Sequence, residues 1–551
     1  MFVGGTKAKS GGLLAAFATA AVLTGGSAAR AADMDAMVTK APMTYVAPAA
    51  VACGSAYDFF FTACPLTWYG VTFYGTVDLG GTYQTRGTPF DPNFTTGASY
   101  FLNPTNRNAG FGLAPNGLSQ SNVGVKIAEP VGGGWSFVAN AQLAFDPYSL
   151  LLANAPQALQ NAIGVPLNQQ ALPVDSSRWG WLAAENYLGA SSPVYGTLTF
   201  GRQNTPQNDG VVAYDPMGAS YAFSPIGFSG KTCGAGDTEE CRWTTAIKYR
   251  ENIGPFRLVA MGQPVGGASG GYSSFNPNNG AIAGGIGGDI KNLVPGVISI
   301  DLLGEFDKDA VNIGPAVNGA VSTPSGMPIT FPAGTYLKAT LSNQTSFMAL
   351  AKWTFGSTWL AGDPPLAVKG APPPAPTPLV TLYAGYEWVQ FANASDRQTS
   401  FRDDGFLFNN PNTINHGQTI GFPGFNGTTI NNNAFNAGCG TGPTGCSDEI
   451  FQVMWVGAKY GITKNLDVIG AYYHYIQNQY TSGGSVTCAN SGAHSQCAGT
   501  GDMASAVIDW RFLPKWDWYL GTFFSQFNGG LDNGYLSRNN LATTSGVRFR
   551  F

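Results

Sequence analysis

Eight cysteines are the residues whose chemistry is easiest to assign in this sequence, and their spacing favours disulfides over metal ligands. No C-x-x-C motif occurs and the three histidines are scattered, so a zinc site is not expected. An even number of cysteines in an exported chain is typical of a disulfide framework. Closeness in sequence favours local pairing without proving it. The expected disulfides are Cys53–Cys64, Cys233–Cys241, Cys439–Cys446 and Cys488–Cys497.

Three other motifs resemble catalytic or ligand-binding sequences but have the wrong surroundings. Gly267 to Gly271 matches G-x-S-x-G, yet it lies in a Gly/Ser/Asn stretch without the flanking strand and helix of a nucleophile elbow. Gly440 to Gly445 matches G-x-G-x-x-G, but it lies between two cysteines with no helix after it. Acidic pairs such as Asp403-Asp404 are more typical of solvated loops than of calcium sites. We therefore expect no enzyme activity, no metal and no cofactor.

The composition favours a membrane β-structure over a soluble domain. Charged residues make up 11% of the 551 residues, where roughly a quarter is usual for soluble domains. Glycine numbers 74 and aromatic residues reach 13%, which suits a large sheet with one face on lipid. The formal net charge of −4 argues against a nucleic-acid partner.

The first 31 residues have the pattern of a secretory signal. Lys7 and Lys9 precede a short apolar run from Leu13 to Leu23, and Ala29-Arg30-Ala31 provides an A-x-A cleavage site. The apolar run is too short for a spanning helix, which needs about 20 residues. An exported chain without such helices can still cross a membrane as a closed barrel. We expect a signal peptide at 1–31, a periplasmic segment at 32–67 and a barrel at 68–551.

Alternating apolar and polar residues predict the strands of that barrel. In Val71 to Gln84, for example, Phe73 and Leu79 share one face and Asp78 shares the other with Thr82. Three segments, near 180, 282 and 343, have weak patterns, so counts of 14 or 18 strands stay open. Sixteen strands are expected to begin near 69, 119, 135, 180, 195, 242, 256, 282, 297, 343, 379, 448, 465, 502, 516 and 543.

The connections between these strands alternate between long and short along nearly the whole chain. That alternation is typical of an outer-membrane barrel with tight periplasmic turns and long outer loops. A Pro-rich stretch at 362–378 breaks the rule, and we expect an extended periplasmic insert there. The run from Thr543 to Phe551 should close the barrel against the first strand, with Val547 on lipid and Arg548 in the lumen.

Four segments of the chain carry information about its family: YGTLTFGRQNTP from Tyr195, VTFYGTVDLG from Val71, SNVGVKIAEPVGGGW from Ser121 and CRWTTAIKYRENIGPF from Cys241. These segments resemble the Gram-negative general porins. The stretch CGSAYDFFFTACPLTWYGVT from Cys53 is most similar to porins of rhizobial alphaproteobacteria. The resemblance implies an all-β, antiparallel transmembrane barrel of 16 strands that passes small hydrophilic solutes and ions across the outer membrane of a Gram-negative bacterium.

The resemblance also implies partners and a constriction. The partners are outer-membrane lipid and lipopolysaccharide, two further copies in a homotrimer, and the barrel-assembly machinery, for which Phe551 is the label. The third loop, 206–241, should fold inward to narrow the pore. Arg202 and Arg242 match two wall arginines of the family, while two other basic positions fall near the neutral Asn122 and Thr76.

The charges around that constriction predict a weak preference for anions. No acid occurs from Ser220 to Gly230, and the acids of the loop lie towards its ends. Arg202 has the phase of Leu198 and Phe200, which should face lipid. Either a bulge at Gly201 redirects it, or it lies above the lipid band as a solvated arginine. The pore-lining set is expected to be Arg202, Arg242, Lys248, Arg250, Lys126, Asp78, Asp209 and Asp215.

Two other functions remain open on the sequence. One is a channel with a binding site for a single solute class, such as a sugar or an oxyanion. The other is a structural or adhesive surface barrel, for which Asn-rich loops such as 413–436 are suited. An active siderophore transporter is disfavoured, because too few residues precede Trp68 for a plug domain.

Overall fold

The structure of the protein is a computed structural model. It describes residues 53–86, 108–148, 150, 184–228, 242–263, 281–291, 293–307, 312–316, 319–322, 328–331, 337–340, 342–356, 380–393, 417–419, 429–431, 449–479, 498–529 and 537–551. The expected signal peptide, the Pro-rich insert and three of the four cysteine couples lie outside these residues.

Sixteen long antiparallel strands form a closed barrel, as the alternation predicts. Each strand pairs with the next along the chain, and β1 also pairs with β16, so the sheet has no free lateral edge. The strands are β1 (Val71–Gln84), β2 (Asn122–Gly132), β3 (Trp135–Ala144), β4 (Asn186–Ser192), β5 (Gly196–Asn204), β6 (Arg242–Ile253), β7 (Phe256–Gln263), β8 (Ala281–Lys291), β9 (Val297–Asp307), β10 (Ser342–Phe355), β11 (Val380–Asn393), β12 (Glu449–Thr463), β13 (Leu466–Gln477), β14 (Gly499–Leu513), β15 (Trp516–Gly529) and β16 (Asn539–Arg550).

Short elements accompany the sixteen long strands, and two of them, Leu66–Trp68 and Gly110–Leu113, pair with β1. Three helices are described: α1 (Ala56–Phe61), α2 (Pro206–Tyr214) and α3 (Pro225–Phe228). Among the described residues, no helix is both long and apolar enough to span a bilayer. The short strands are Leu66–Trp68, Gly110–Leu113, Asn312–Ala316, Gly319–Ser322, Pro328–Phe331, Leu337–Thr340, Gly417–Thr419 and Thr429–Asn431.

The two faces of the wall have the chemistry expected from the alternation. On β1, Phe73 and Leu79 point outward and are exposed, whereas Asp78 and Thr82 point inward and are buried. Phe551 forms hydrogen bonds of 3.0 Å with Gly75 in both directions, which joins the end of β16 to β1. The predicted closure through the last strand is therefore confirmed.

Alternation along β6 predicts that Trp243 points outward, and this prediction is wrong because the strand contains a bulge. Trp243 shares the sequence phase of Ile247 and Tyr249, which point outward, yet it is 0% exposed in the interior beside Met261. Gly201 pairs with Ala246 but Gln203 pairs with Trp243, so one residue of β5 opposes two of β6. Thr245, with φ of 54°, absorbs the extra residue. The strand phase reverses there, so Trp243 turns inward and Arg242 takes the outward phase instead of the expected lumen phase. Arg242 lies at the end of the strand, and its side chain reaches Asn204, where the loop leaves the wall.

The disulfide Cys53–Cys64 is present, as expected. The couples Cys233/Cys241, Cys439/Cys446 and Cys488/Cys497 lie in segments outside the described residues and stay predictions. Short turns join β2 to β3, β4 to β5, β6 to β7 and β14 to β15 at one end of the barrel. The connections at the other end are longer in sequence. The Pro-rich stretch between β10 and β11 lies outside the described residues, and its periplasmic placement stays a prediction.

Candidate functional site

The connection between β5 and β6 enters the barrel through a helix with strong local signals. Thr205 caps the N-terminus of α2 by accepting a hydrogen bond from the Asn208 amide. Pro206 occupies the first turn, where its missing N–H costs nothing, and Asp209 places a negative charge there. The sequence therefore starts a helix at the residue where the strand must end.

The loop then crosses the barrel interior and is held by inward-pointing side chains of distant strands. The Trp455 Nε1 atom on β12 donates to the Tyr214 carbonyl at 3.1 Å. The Ser505 hydroxyl on β14 donates to the Phe223 carbonyl at 2.5 Å. Phe223 also packs edge-on against Tyr519 of β15, with ring centroids 6.0 Å apart. The described part of the predicted constriction loop thus lies inside the barrel.

Apolar packing fixes the loop against one side of the wall. Val211, Tyr214, Met217, Phe223 and Ile226 of the loop are buried. They join one cluster with inward side chains of β9 to β16, which include Leu303, Leu350, Trp455, Tyr473 and Phe527. Burial of so much apolar surface is the main attraction between the loop and the wall. The loop therefore narrows the interior from the side of β9 to β16.

Asp215 organises the turn after α2 rather than lining water. It is buried, and its carboxylate accepts hydrogen bonds from the amides of Met217 and Ala219 at 3.2 and 2.7 Å. The Tyr473 hydroxyl on β13 donates to the same carboxylate at 2.6 Å. Burial raises the pKa of Asp215, and these hydrogen bonds oppose the shift only in part.

Four predicted site residues meet where the loop leaves the wall. Lys248 Nζ lies 2.5 Å from Asp209 Oδ2 and donates to the Asn204 carbonyl at 2.8 Å. Arg242 Nε donates to Asn204 Oδ1 at 2.9 Å, and the Arg242 carbonyl accepts from Arg202 Nη1 at 3.2 Å. β5 keeps its alternation through Gln203, so Arg202 stays in the outward phase. The bulge considered for Gly201 is in β6, and Arg202 reaches the network from the end of its strand.

A second polar group lies on the wall of β1 to β6. Lys126 Nζ lies 4.6 Å from the centre of the Tyr74 ring, a cation–π geometry, and Lys126 is exposed towards the lumen. Tyr74 donates to Asn140 Oδ1 at 2.7 Å, and Asn140 donates to the Glu185 carbonyl at 3.2 Å. Arg250 is hydrogen-bonded to Tyr187 on β4. This wall therefore presents cations and phenol hydroxyls together.

Asp78 is covered by a second inward segment. Its Oδ2 accepts from the amides of Leu118 and Ser119 at 2.8 and 2.9 Å, and its Oδ1 accepts from the Tyr519 hydroxyl at 2.7 Å. The Ala222 amide of the crossing loop donates to the Gly117 carbonyl at 2.9 Å, so the two inward segments contact each other. Asp78 serves to hold this segment, and its carboxylate is buried away from the pore water.

Sequence reasoning missed several charged residues of the interior. Glu185 directly precedes a weakly patterned strand, so no alternation indicated that its side chain lies in the interior. Arg257 pairs with Asp289 at 2.5 Å and with Asp301 at 3.2 Å. Alternation could identify their common face but not their partners, which come from different strands. Among the described residues, no cluster of His, Cys, Asp or Glu is arranged to hold a metal ion.

Comparison with known proteins places these features in a family context. The profile of a family described as Gram-negative porin matches residues 18–494. No curated protein matches the chain. An anion-selective porin from Comamonas acidovorans is 14% identical, with 87% of this chain and 99% of that chain covered and a TM-score of 0.47. Outer-membrane expressed OmpT of Vibrio cholerae is 12% identical, with coverages of 88% and 100% and a TM-score of 0.46. Salmonella typhi OmpF, solved with daunomycin, is 11% identical, with coverages of 88% and 100% and a TM-score of 0.43.

Proposed function

The chain belongs to the Gram-negative porin family and forms an outer-membrane channel for passive diffusion of solutes, and we propose that this channel weakly favours anions. The observation that supports the preference is the unequal charge of the two sides of the interior. On the side of β2 to β6, five cationic residues stand against three carboxylates, which leaves an excess of two positive charges. The cations are Lys126, Arg202, Arg242, Lys248 and Arg250, and the carboxylates are Asp146, Glu185 and Asp209.

The opposite side lacks this excess because its cations are neutralised by close acids. Arg548 and Arg550 both contact Asp517, at 2.6 and 3.0 Å. Lys459 and Arg511 contact Asp467 at 2.8 and 2.7 Å, and Arg511 also contacts Asp509 at 3.6 Å. Asp78 interacts electrostatically with Arg548, so four acids balance these four cations. The loop docks on the side of β9 to β16, so ions pass closer to the side of β2 to β6, which carries the excess positive charge. Fixed positive charge raises the local anion concentration and repels cations. Screening over about 8 Å keeps the preference modest.

Reversal potentials in a KCl gradient across a planar bilayer test the proposal. The wild-type channel should give a potential of the anion-selective sign, and Lys126→Gln should shift it towards cations, as should Arg242→Ser. Lys464→Gln is the matched control, since Lys464 lies in the exposed turn between β12 and β13 and should change the potential little. A cation-selective wild type, or equal shifts in all three variants, would refute the anion preference. Absence of any conductance would contradict the channel itself.

A binding site for one solute class is the second candidate. Tyr74 and Tyr187 offer aromatic faces and hydroxyls beside Lys126 and Arg250, a combination suited to a carboxylate or another oxyanion. Saturable block of the KCl conductance by one such solute would favour this function. Block that rises without saturation would favour simple diffusion.

We also propose the partners implied by the resemblance. These are outer-membrane lipid, lipopolysaccharide, a homotrimeric assembly and the barrel-assembly machinery, with a signal peptide at 1–31 and kinship to rhizobial porins. We propose no catalytic activity. A single folded species with the mass of one chain after mild detergent extraction would contradict the homotrimer.

A further inference from the structure

A disulfide-closed segment lies against the outer face of the barrel at the end with the short turns. This segment, residues 53–68, is called the N-terminal clasp below. Cys53–Cys64 closes the part of the clasp that contains α1, and Ser55 caps α1 by accepting from the Asp58 amide at 3.1 Å. The chain then runs through Leu66–Trp68 and turns back into β1 at Tyr69 and Gly70, whose φ values of 45° and 74° suit a tight hairpin turn.

The clasp extends the hydrogen-bonded seam between the first and last strands. β16 pairs with β1 from Ala542 opposite Gln84 to Arg550 opposite Thr76, and its last contact is Phe551 with Gly75. Leu66–Trp68 pairs with Val71–Phe73, the next stretch of β1. Because β2 already pairs with Val71 to Thr76, the clasp occupies the edge of β1 that β16 leaves. The clasp thus covers three residues of strand edge that would otherwise be free for pairing.

Aromatic side chains connect the clasp to the last two strands. The Phe59 ring packs against Phe549 and Phe551, with centroids 5.5 and 5.3 Å apart. The Trp516 ring packs at a tilt on Phe549, with centroids 4.5 Å apart, and its Nε1 donates to the Phe60 carbonyl at 2.9 Å. As a result Phe549 is 8% exposed, whereas Leu541, on the same face near the other end of β16, is 41% exposed.

A basic side chain adds a polar contact from the turn between β14 and β15. Lys515 Nζ donates to the Phe59 carbonyl at 3.0 Å and lies 4.9 Å from the centre of the Phe59 ring. The clasp therefore touches β1 through its strand, β16 through its aromatic ring and β15 through its carbonyls. No other described segment outside the wall bridges these three strands on the outer face.

We propose that the N-terminal clasp locks the seam of the barrel and slows its opening. The seam joins residues far apart in sequence, such as Thr82 and Thr543, so local chain connectivity does not hold it together. The clasp is covalently continuous with β1 and grips β15 and β16, so the seam cannot separate until the clasp detaches. The disulfide keeps the clasp in the bound shape by restricting its alternatives. This role is independent of ion selectivity.

The unfolding rate of the purified barrel in detergent tests this proposal. The readout is the loss over time of the folded, heat-modifiable band on an SDS gel. Phe59→Ala should unfold roughly tenfold faster or more, because it removes the packing on Phe549 and Phe551. Tyr57→Ala is the matched control on the same helix, since Tyr57 is 69% exposed and packs on Phe61 within the clasp. Single-channel conductance should be unchanged in both variants. Equal unfolding rates for Phe59→Ala and Tyr57→Ala would overturn the proposal.

Reduction of the folded wild-type protein gives a second measurement that does not depend on assembly of a variant. Dithiothreitol should accelerate unfolding of the wild type, and mass spectrometry after alkylation should confirm that Cys53 and Cys64 are reduced. The same treatment should have little effect on Cys53→Ser/Cys64→Ser, which retains the other six cysteines. If dithiothreitol accelerated unfolding equally in both proteins, the effect would come from the other cysteines and the proposal would be overturned. It would also be overturned if the reduced wild type unfolded no faster.

Discussion

Removing the charge of Lys248 should loosen the loop at the point where it enters the barrel. Lys248 is 1% exposed, and its Nζ contacts Asp209 Oδ2 at 2.5 Å and the Asn204 carbonyl at 2.8 Å. In Lys248→Met the side chain keeps its length but loses the donor and the charge. Asp209 then carries a largely buried carboxylate without its main counter-ion.

The magnitude follows from the burial of this pair. Removing one partner of a buried ion pair costs about 3–5 kcal/mol. Asp209 keeps 17% of its side-chain exposure, which allows some solvation and favours the lower end of that range. A loss of about 3 kcal/mol raises the equilibrium constant for loop detachment roughly 100-fold.

Amide hydrogen exchange over residues 206–214 measures that constant directly when reclosing is fast. In the helix the Asp209 amide donates to the Thr205 carbonyl at 3.1 Å, and the Asp215 amide donates to the Val211 carbonyl at 2.9 Å. We expect exchange of these amides to accelerate roughly 100-fold in Lys248→Met. Lys459→Met is the control, because its ion pair with Asp467 lies on β12 and β13 and is partly exposed.

A double variant separates the ion pair from simple loss of packing. In Lys248→Met/Asp209→Leu no buried charge remains, so most of the protection should return. Exchange in Lys248→Met within about threefold of the wild type would refute the reasoning. Equal acceleration of exchange in Lys459→Met would also refute it, because the effect would then not depend on the ion pair where the loop leaves the wall.

Four further predictions concern the loop, the seam and the cysteines. Because burial raises the pKa of Asp215, its contribution to loop docking should be largest below the usual aspartate pKa of about 3.9 and should decline as pH rises through the raised value. Open-channel current noise should therefore fall on acidification. Asp215→Asn should lose this dependence of the noise on pH. Gly385→Ala should displace Trp455, since a Cβ there would clash with the indole, and should increase the open-channel noise, with an overpacking cost of about 1–3 kcal/mol. Noise equal to that of the wild type would contradict this. Phe551→Asp should lower the amount of folded, heat-modifiable barrel, because a charge would replace a ring packed on Phe59; wild-type amounts would contradict this. Mass spectrometry of non-reduced peptides should find Cys233–Cys241, and a link from Cys233 to Cys439 or Cys488 would refute local pairing.

Local pattern in the sequence determined the wall of the barrel. In a strand without a bulge a residue's face depends on its parity, so alternation predicted the sixteen strands, with the least certain bounds where the pattern is weak. The predicted start at 516 coincides with Trp516, whereas the start near 180 is six residues ahead of Asn186 because no clear alternation marks that end. The same parity placed Phe73 outside and Asp78 inside, and the proximity of Cys53 to Cys64 indicated their disulfide.

Tertiary structure alone decided which inward residues meet. Parity fails at a bulge, so Trp243 turned inward once Thr245 added a residue to β6. The partners of Lys248, Asp215 and Asp78 come from segments that are distant in sequence, and no periodicity relates those segments. The burial of Asp215 and Asp78 follows from where the inward segments dock on the wall. A sequence can show that a side chain points into the lumen, but whether it then meets water, a counter-ion or another segment depends on packing across the whole barrel.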